Sequence, residues 1–177
     1  MRTGRPLTVQ AAAELAGVSR ATAYRYFWNN DAVVLHATMS LADDPLADPD
    51  WSPLASAPPG ELPARAADLV RVTAAWAFDH EPELRRVLHL SLAPNRQALP
   101  PRQAGTNRGR WIAALVKGLP GDVPPAARDR LAAALIPLFG SDAVVWTSDI
   151  ALLPRNQAIE LLAWMGEALV KATLAGW

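Results

Sequence analysis

Apolar residues recur along this chain at the spacing of an amphipathic α-helix. The first such segment places four of them on one helical face, namely Val9, Ala12, Ala13 and Ala16. Thr8 precedes this segment and Gly17 follows it, which suits an N-cap hydroxyl and a C-terminal glycine with positive φ. Ser19 then caps a second predicted helix, 20–27, whose inward face carries Ala23 and Phe27. These signals predict two short helices joined by a tight turn.

The same periodicity predicts helices through the rest of the chain. They are expected over 32–41, with Asp31 as cap, and over 61–80, 82–92, 104–118, 126–147 and 155–175. Pro137 and Gly140 predict a kink or bulge in the fifth of these. We therefore predict an all-α chain with a helix-turn-helix module at 1–42, a proline-rich connection at 43–63 and a helical body at 64–177.

Composition excludes several classes of protein. The chain has 177 residues and no cysteine, so disulfides, cysteine-based zinc sites and thiol catalysis are ruled out. No apolar run is long enough to span a bilayer and no signal peptide opens the chain, which predicts a cytoplasmic protein with no membrane partner. The net charge is zero, yet residues 1–30 hold four arginines against one glutamate. Positive charge is therefore concentrated around the predicted helix pair, as in nucleic-acid-binding proteins.

The second predicted helix exposes small, hydroxyl, aromatic and guanidinium groups. Small side chains let a helix approach base edges closely, and hydroxyl and guanidinium groups donate hydrogen bonds to phosphate oxygens. A solvated helix pair in some unrelated α-protein is the alternative, but a turn, two caps and an aromatic ending coincide within twenty residues. We therefore predict that DNA is contacted by Thr8, Ser19, Arg20, Ala21, Thr22, Tyr24, Arg25 and Tyr26.

Two further sets of candidates lie in the body. Large aromatic residues with a few polar groups are typical of small-molecule sites, although ordinary core packing is the alternative for each. The predicted pocket comprises Trp76, His80, Leu88, His89, Trp111, Leu115, Phe139 and Trp146. The last two predicted helices carry more apolar surface than a small body needs, which suggests a partner. The predicted dimer interface comprises Leu131, Leu135, Leu138, Ala158, Leu162, Met165 and Leu169.

The sequence offers little to catalysis. His36, His80 and His89 lack metal-ligand spacing, and there is neither a glycine-rich phosphate loop nor a nucleophile elbow. We predict no enzyme activity, no metal and no cofactor. A metal-dependent hydrolase would require metal bound to the purified protein.

Residues 8–27, TVQAAAELAGVSRATAYRYF, and the following WNNDAVVLHA resemble the DNA-binding region of the TetR family of transcriptional regulators. The order of helices in the body is similar to that family's ligand-binding region. The resemblance implies a homodimer with each recognition helix in a major groove of a palindromic DNA operator, an effector pocket in the body, and an interface made by the last two helices of both subunits. It implies a repressor released by a small apolar or aromatic effector. The alternative is a non-catalytic small-molecule- or partner-binding dimer with a degenerate helix-turn-helix.

The chain departs from the family pattern in two places. Family members carry another helix before the first one predicted here, whereas only seven residues precede Thr8. Either the numbered chain begins downstream of the true start, or the helix is absent, which would expose Val9, Leu15 and Phe27. Residues 28–30 (WNN) stand where the family commonly has a proline, a serine and a lysine near a phosphate. This difference predicts a neutral hydrogen bond in place of a charged one.

Overall fold

The computed structural model describes residues 8–27, 29–42, 51–92 and 107–176, which contain nine α-helices and no strand. The helices are α1 (Val9–Ala16), α2 (Arg20–Tyr26), α3 (Asn30–Ala42), α4 (Leu62–Asp79), α5 (Glu81–Leu92), α6 (Asn107–Lys117), α7 (Pro125–Leu135), α8 (Ser141–Val145) and α9 (Arg155–Leu174). The predicted all-α class is confirmed for these residues. Predictions that concern residues 1–7, 28, 43–50 and 93–106 lie outside the described part of the chain.

Apolar side chains form two separate clusters, because each set of helices covers its own apolar face. The smaller cluster joins α1, α2 and α3 through Val9, Ala13, Ala23 and Val33, with Phe27 packed against it. The larger cluster is built on α4, α6, α7 and α9, and its fully buried members include Leu62, Leu69, Leu115, Leu131, Leu135, Leu162 and Val170. The described residues thus form a small N-terminal unit, α1–α3, and a larger helical body.

The contact between α4 and α9 is the most extensive helix contact in the described part of the body. Gly166 on α9 allows the two helices to approach closely, since a Cβ there would lie only 2.9 Å from Val70 Cγ2 on α4. An ion pair of 2.9 Å between Arg71 and Glu160 also joins the two helices. Close packing over this length makes the α4–α9 pair the rigid centre of the body.

The predicted helix 126–147 is interrupted. A 3-10 turn, Ile136–Leu138, follows α7, and α8 begins after Gly140, whose φ of +74° favours glycine. The break lies at the predicted kink, because proline removes a helical donor and crowds the preceding turn. After α8 the chain forms a π-turn, Trp146–Ile150, which the sequence pattern did not predict.

Part of the predicted connection 43–63 packs into the body. Residues Ser52–Ser56 form a 3-10 turn that contacts α6, and Leu54 in it is buried. Leu62 and Pro63 already belong to α4 and are also buried. Proline at the first turn of a helix sacrifices no hydrogen bond, so Pro63 starts α4 rather than preventing it.

No single helix in the described ranges is long and apolar enough to cross a membrane. The segments Pro125–Leu138 and Ser141–Ile150 reach that length and composition only when taken together, and they are bent by 61°.

Candidate nucleic-acid interface

Local hydrogen bonds set the geometry of the α1–α2 pair. The Thr8 hydroxyl accepts a bond of 3.0 Å from the Ala11 amide, and the Ser19 hydroxyl accepts one of 3.1 Å from the Thr22 amide. Gly17 ends α1 in the left-handed conformation, with φ of +64°. The two predicted caps and the predicted glycine turn are therefore confirmed. Each of these contacts lies within a few residues along the chain, which is why sequence spacing could reveal them.

The two asparagines after α2 hold α3 in place. The Asn30 side-chain oxygen accepts a bond of 2.9 Å from the Val9 amide, which ties the start of α3 to the start of α1. The Asn29 side-chain oxygen accepts a bond of 2.8 Å from the Ala32 amide. Asn29 thus caps α3, and the prediction that Asp31 is the cap is wrong. Asp31 instead lies in the first turn of α3, with its carboxylate engaged elsewhere.

Three apolar residues were expected to be exposed if the family's upstream helix is absent, and the structure shows how far each of them is buried. Val9 is fully buried by α1, α2 and α3 themselves, and Phe27 is half-buried with its ring 5.5 Å from that of His36. Leu15, by contrast, is 92% exposed. Among the three residues expected to depend on an upstream helix, only Leu15 is left uncovered by residues 8–42.

The outer face of α2 carries most of the predicted DNA contacts. Ala23 faces the small core, while the opposite side of the helix is exposed. The exposed members are Ser19, Arg20, Ala21, Tyr24, Arg25 and Tyr26, and the half-buried ones are Thr8 and Thr22. One short helix therefore exposes a small side chain, two phenol groups and two guanidinium groups, with Ala21 and Arg25 opposite Ala23 and Arg20 and Tyr26 nearer the core. We call this surface, formed by residues 19–22 and 24–26, the α2 face.

The two arginines of the α2 face have different surroundings. The Arg20 guanidinium hydrogen-bonds the side chain of Gln10 on α1, and Gln10 in turn donates to Glu14 over 3.0 Å. Arg25 makes no ion pair or hydrogen bond to any described residue, so its donors remain available to a ligand. The sequence pattern did not single out Gln10. Gln10 lies four residues before Glu14 on the exposed side of α1, and this spacing could have identified Gln10 as a hydrogen-bonding residue.

The predicted pocket residues differ in their burial and in the helices that carry them. Leu115 and Phe139 are fully buried, and the Trp111 ring lies 5.7 Å from that of Phe139 in the body core. Trp76 and His80 stack at 4.5 Å at the end of α4, where His80 Nδ1 lies 2.9 Å from the Trp76 carbonyl oxygen. The remaining three residues lie nearer the surface: Leu88 is half-buried, and His89 and Trp146 are exposed.

A small cleft lies elsewhere on the body. It has a volume of about 170 Å³ and is lined by Trp51, Pro53, Leu54, Arg65 and Asp68. None of the predicted pocket residues lines it. The indole Nε1 of Trp51 is buried and has no hydrogen-bond partner among the described residues, an arrangement that costs free energy relative to a paired donor.

Most of the predicted dimer-interface residues are covered within the chain itself. Five of them, Leu131, Leu135, Leu138, Ala158 and Leu162, are at most 2% exposed, while Met165 and Leu169 are half-buried. Large apolar residues that are exposed in the same half of the body are Ile136, Trp146, Ile150, Leu152 and Trp164.

Searches of protein-family models, of curated proteins and of solved structures found no match to this chain. The similarity of residues 8–27 to TetR regulators therefore stays a prediction. Among the described residues, no three His, Asp or Glu side chains are grouped so that they could hold a metal ion.

Proposed function

We propose that this protein is a ligand-responsive, sequence-specific DNA-binding transcriptional regulator that acts as a homodimer. The α2 face carries this proposal, because it combines small residues, hydroxyl and phenol groups and the unpaired Arg25 on one exposed helix. The caps at Thr8 and Ser19 and the turn at Gly17 support it, since they hold α2 rigidly against α1. A helix that enters a groove must be held in this way.

In the proposed complex, α2 lies in the major groove of duplex DNA. The small side chain of Ala21 permits close approach to the base edges, and the Arg25 guanidinium and the Tyr24 hydroxyl donate to phosphate oxygens. Two α2 helices in a two-fold dimer would read half-sites about one helical turn, roughly 34 Å, apart. The operator would therefore be palindromic.

We further propose that the regulator is a repressor released by a small apolar or aromatic effector bound to the body. An effector can weaken operator binding only by binding one body conformation more tightly than the other. The aromatic pairs Trp76–His80 and Trp111–Phe139 support a planar effector. The exposed Ile150, Leu152 and Trp164 support a partner surface in the C-terminal half, which a second copy would cover.

Fluorescence anisotropy with DNA flanking the protein's own gene, compared with scrambled DNA across a salt series, tests the proposal. We expect steep weakening with salt and preference for one fragment. Arg25→Ala should weaken binding and lower the salt slope by about 1, because one phosphate contact is lost. Tyr24→Ala should weaken binding with little change of slope, because it removes no charge.

Lys117→Ala is the matched control, since it removes one exposed positive charge from the far end of α6. It should leave both affinity and slope unchanged. Parental affinity in both α2 variants would exclude the α2 face as the DNA contact. Absence of any fragment preference in the parent chain would favour the non-catalytic ligand- or partner-binding dimer instead.

A further inference from the structure

The π-turn Trp146–Ile150 is an irregular element at the centre of the C-terminal half. The amide of Ala151 donates to the Trp146 carbonyl oxygen over 3.0 Å, which spans five residues rather than the four of an α-helix. The buried Thr147 hydroxyl donates back to the Ala143 carbonyl oxygen over 2.7 Å. Such back-bonding bends helices, and the π-turn ends the helical segment that begins with α8.

Backbone strain lies directly after the π-turn. Leu152 has a φ of +53°, and it is the one non-glycine residue with positive φ in the described ranges. Its side chain is 77% exposed, so burial does not compensate for the steric conflict between Cβ and the backbone. Because strain persists only where surrounding contacts hold it, some contact must stabilise the turn in this form.

Two contacts do so: the Leu153 amide donates to the Thr147 carbonyl oxygen over 3.0 Å, and Arg85 on α5 forms an ion pair with Asp149 within the π-turn. Nη1 and Nη2 of Arg85 each lie 2.6 Å from one oxygen of the Asp149 carboxylate, and Nε donates to Glu81 over 2.7 Å. Paired bonds of this kind fix orientation as well as distance. The Arg85 guanidinium lowers the pKa of Asp149, and the two carboxylates raise the pKa of Arg85. Arg85 thus holds the π-turn to α5.

The next residue along α5 makes the corresponding contact with the N-terminal unit. Arg86 Nη2 lies 2.8 Å from an oxygen of Asp31 in the first turn of α3. Helix α5 contacts both α3 and α8. Two adjacent arginines therefore connect the π-turn to the unit that carries the α2 face.

We propose that the π-turn is a two-state element whose form controls the N-terminal unit through the pairs Asp149–Arg85 and Arg86–Asp31. In the structure the π form is held by its backbone hydrogen bonds and by Arg85. A change to α-helical spacing removes one residue from the turn and rotates the chain after the turn by about 100° relative to α8, since an α-helix has 3.6 residues per turn. That rotation separates Asp149 from Arg85, relaxes Leu152 and frees α5 to move relative to α3. The switch regulates DNA binding only if the proposed function holds, but its existence is independent of DNA.

Amide hydrogen exchange in α3 of the full chain, measured by mass spectrometry without DNA, tests the proposal. Asp149→Asn keeps the shape of the side chain and removes its charge. It should raise exchange in peptides covering 30–42 by at least about fivefold, the low end of allosteric coupling. Asp129→Asn is the matched control, because Asp129 is exposed on α7 and has no ion-pair partner among the described residues. It should leave α3 unchanged.

Two further variants distinguish coupling between the π-turn and α3 from a local effect of losing the Asp149–Arg85 ion pair. Leu152→Gly removes the strain of positive φ, so it should stabilise the π form and slow exchange in α3. In the double variant Asp149→Asn/Asp31→Asn, exchange in α3 should rise no more than in the larger single variant, because both act on one connection. Faster exchange limited to residues 81–92 and 146–153, or effects that multiply in the double variant, would overturn the proposal. Operator affinity of Asp149→Asn then measures separately whether the switch affects DNA binding.

Discussion

Gly118 lies where the body closely approaches the segment that leads into it. This glycine follows α6 and faces the 3-10 turn Ser52–Ser56. A Cβ at Gly118 would lie 2.3 Å from the Leu54 carbonyl oxygen and 3.1 Å from Leu62 Cδ1. A backbone oxygen cannot rotate away as the end of a long side chain can. Because Leu54 and Leu62 are both buried, the substitution Gly118→Ala must displace part of the core.

The size of the effect can be worked out from this contact. Ordinary van der Waals contact begins at 3.4 Å, so the 3-10 turn would have to retreat by about 1 Å. Overpacking a core costs about 1–3 kcal/mol, and we expect the upper end because the obstacle is backbone. Alanine also gives the unfolded chain less conformational entropy than glycine does, and this offsets about 0.4–1 kcal/mol of the destabilisation. The net loss of about 2 kcal/mol corresponds to a fall in melting temperature of about 4–8 °C for a chain of this length.

Thermal and urea unfolding followed by circular dichroism measure this loss. Gly121→Ala is the control, because a Cβ at Gly121 would meet no atom within 4 Å. The control should be as stable as the parent or slightly more stable. A Gly118→Ala protein that melted within about 1 °C of the parent would refute the expected displacement of the core.

Three further predictions address other contacts. Ser19→Ala should cost about 1 kcal/mol of unfolding free energy, because the Thr22 amide loses its cap, and Ser19→Asp should restore most of it in urea titrations. Arg128→Ala should lower the urea midpoint by an amount equivalent to about 1.5–3 kcal/mol, with Arg128→Lys intermediate, and an unchanged midpoint would contradict this. The Arg128 guanidinium donates to the carbonyl oxygens of Val116, Leu119, Pro120 and Val123. Arg71 lowers the pKa of Glu160 below its ordinary 4.5, so the pair stabilises the folded state fully above that pH and progressively less as pH falls through the lower folded pKa. The stability difference between the parent and Glu160→Gln should therefore stay constant from neutral pH down to 4.5 and shrink as the pH falls further, whereas a difference independent of pH would show that the ion pair is not its cause.

Local features of the chain were predictable because their causes lie within a few residues. The caps at Thr8 and Ser19, the left-handed Gly17 and the break near Pro137 all arise from one side chain acting on its own turn of backbone. The exposed side of α2 was predictable from helical spacing in the same way, since Ala23 and Phe27 share the inward side.

The cap of α3 shows where local reasoning stopped. Asp31 and Asn29 are both good capping residues. The sequence does not reveal which of the two side chains forms a contact with another helix instead of capping α3. Asp31 pairs with Arg86, which is 55 residues away along the chain, so Asn29 is left to accept from Ala32. A contact between helices decided a choice that spacing left open.

By itself, the sequence determined the helical class, the α1–α2 turn and the composition of the α2 face. The tertiary structure decided which apolar faces are covered. It buries Leu131 and Leu162, which were expected at a dimer interface, and exposes Leu152 in a strained turn. It also joins Arg85 to Asp149 across 64 residues. Helical periodicity states which side chains share a face, but only the packing of helices distant in sequence determines what that face meets.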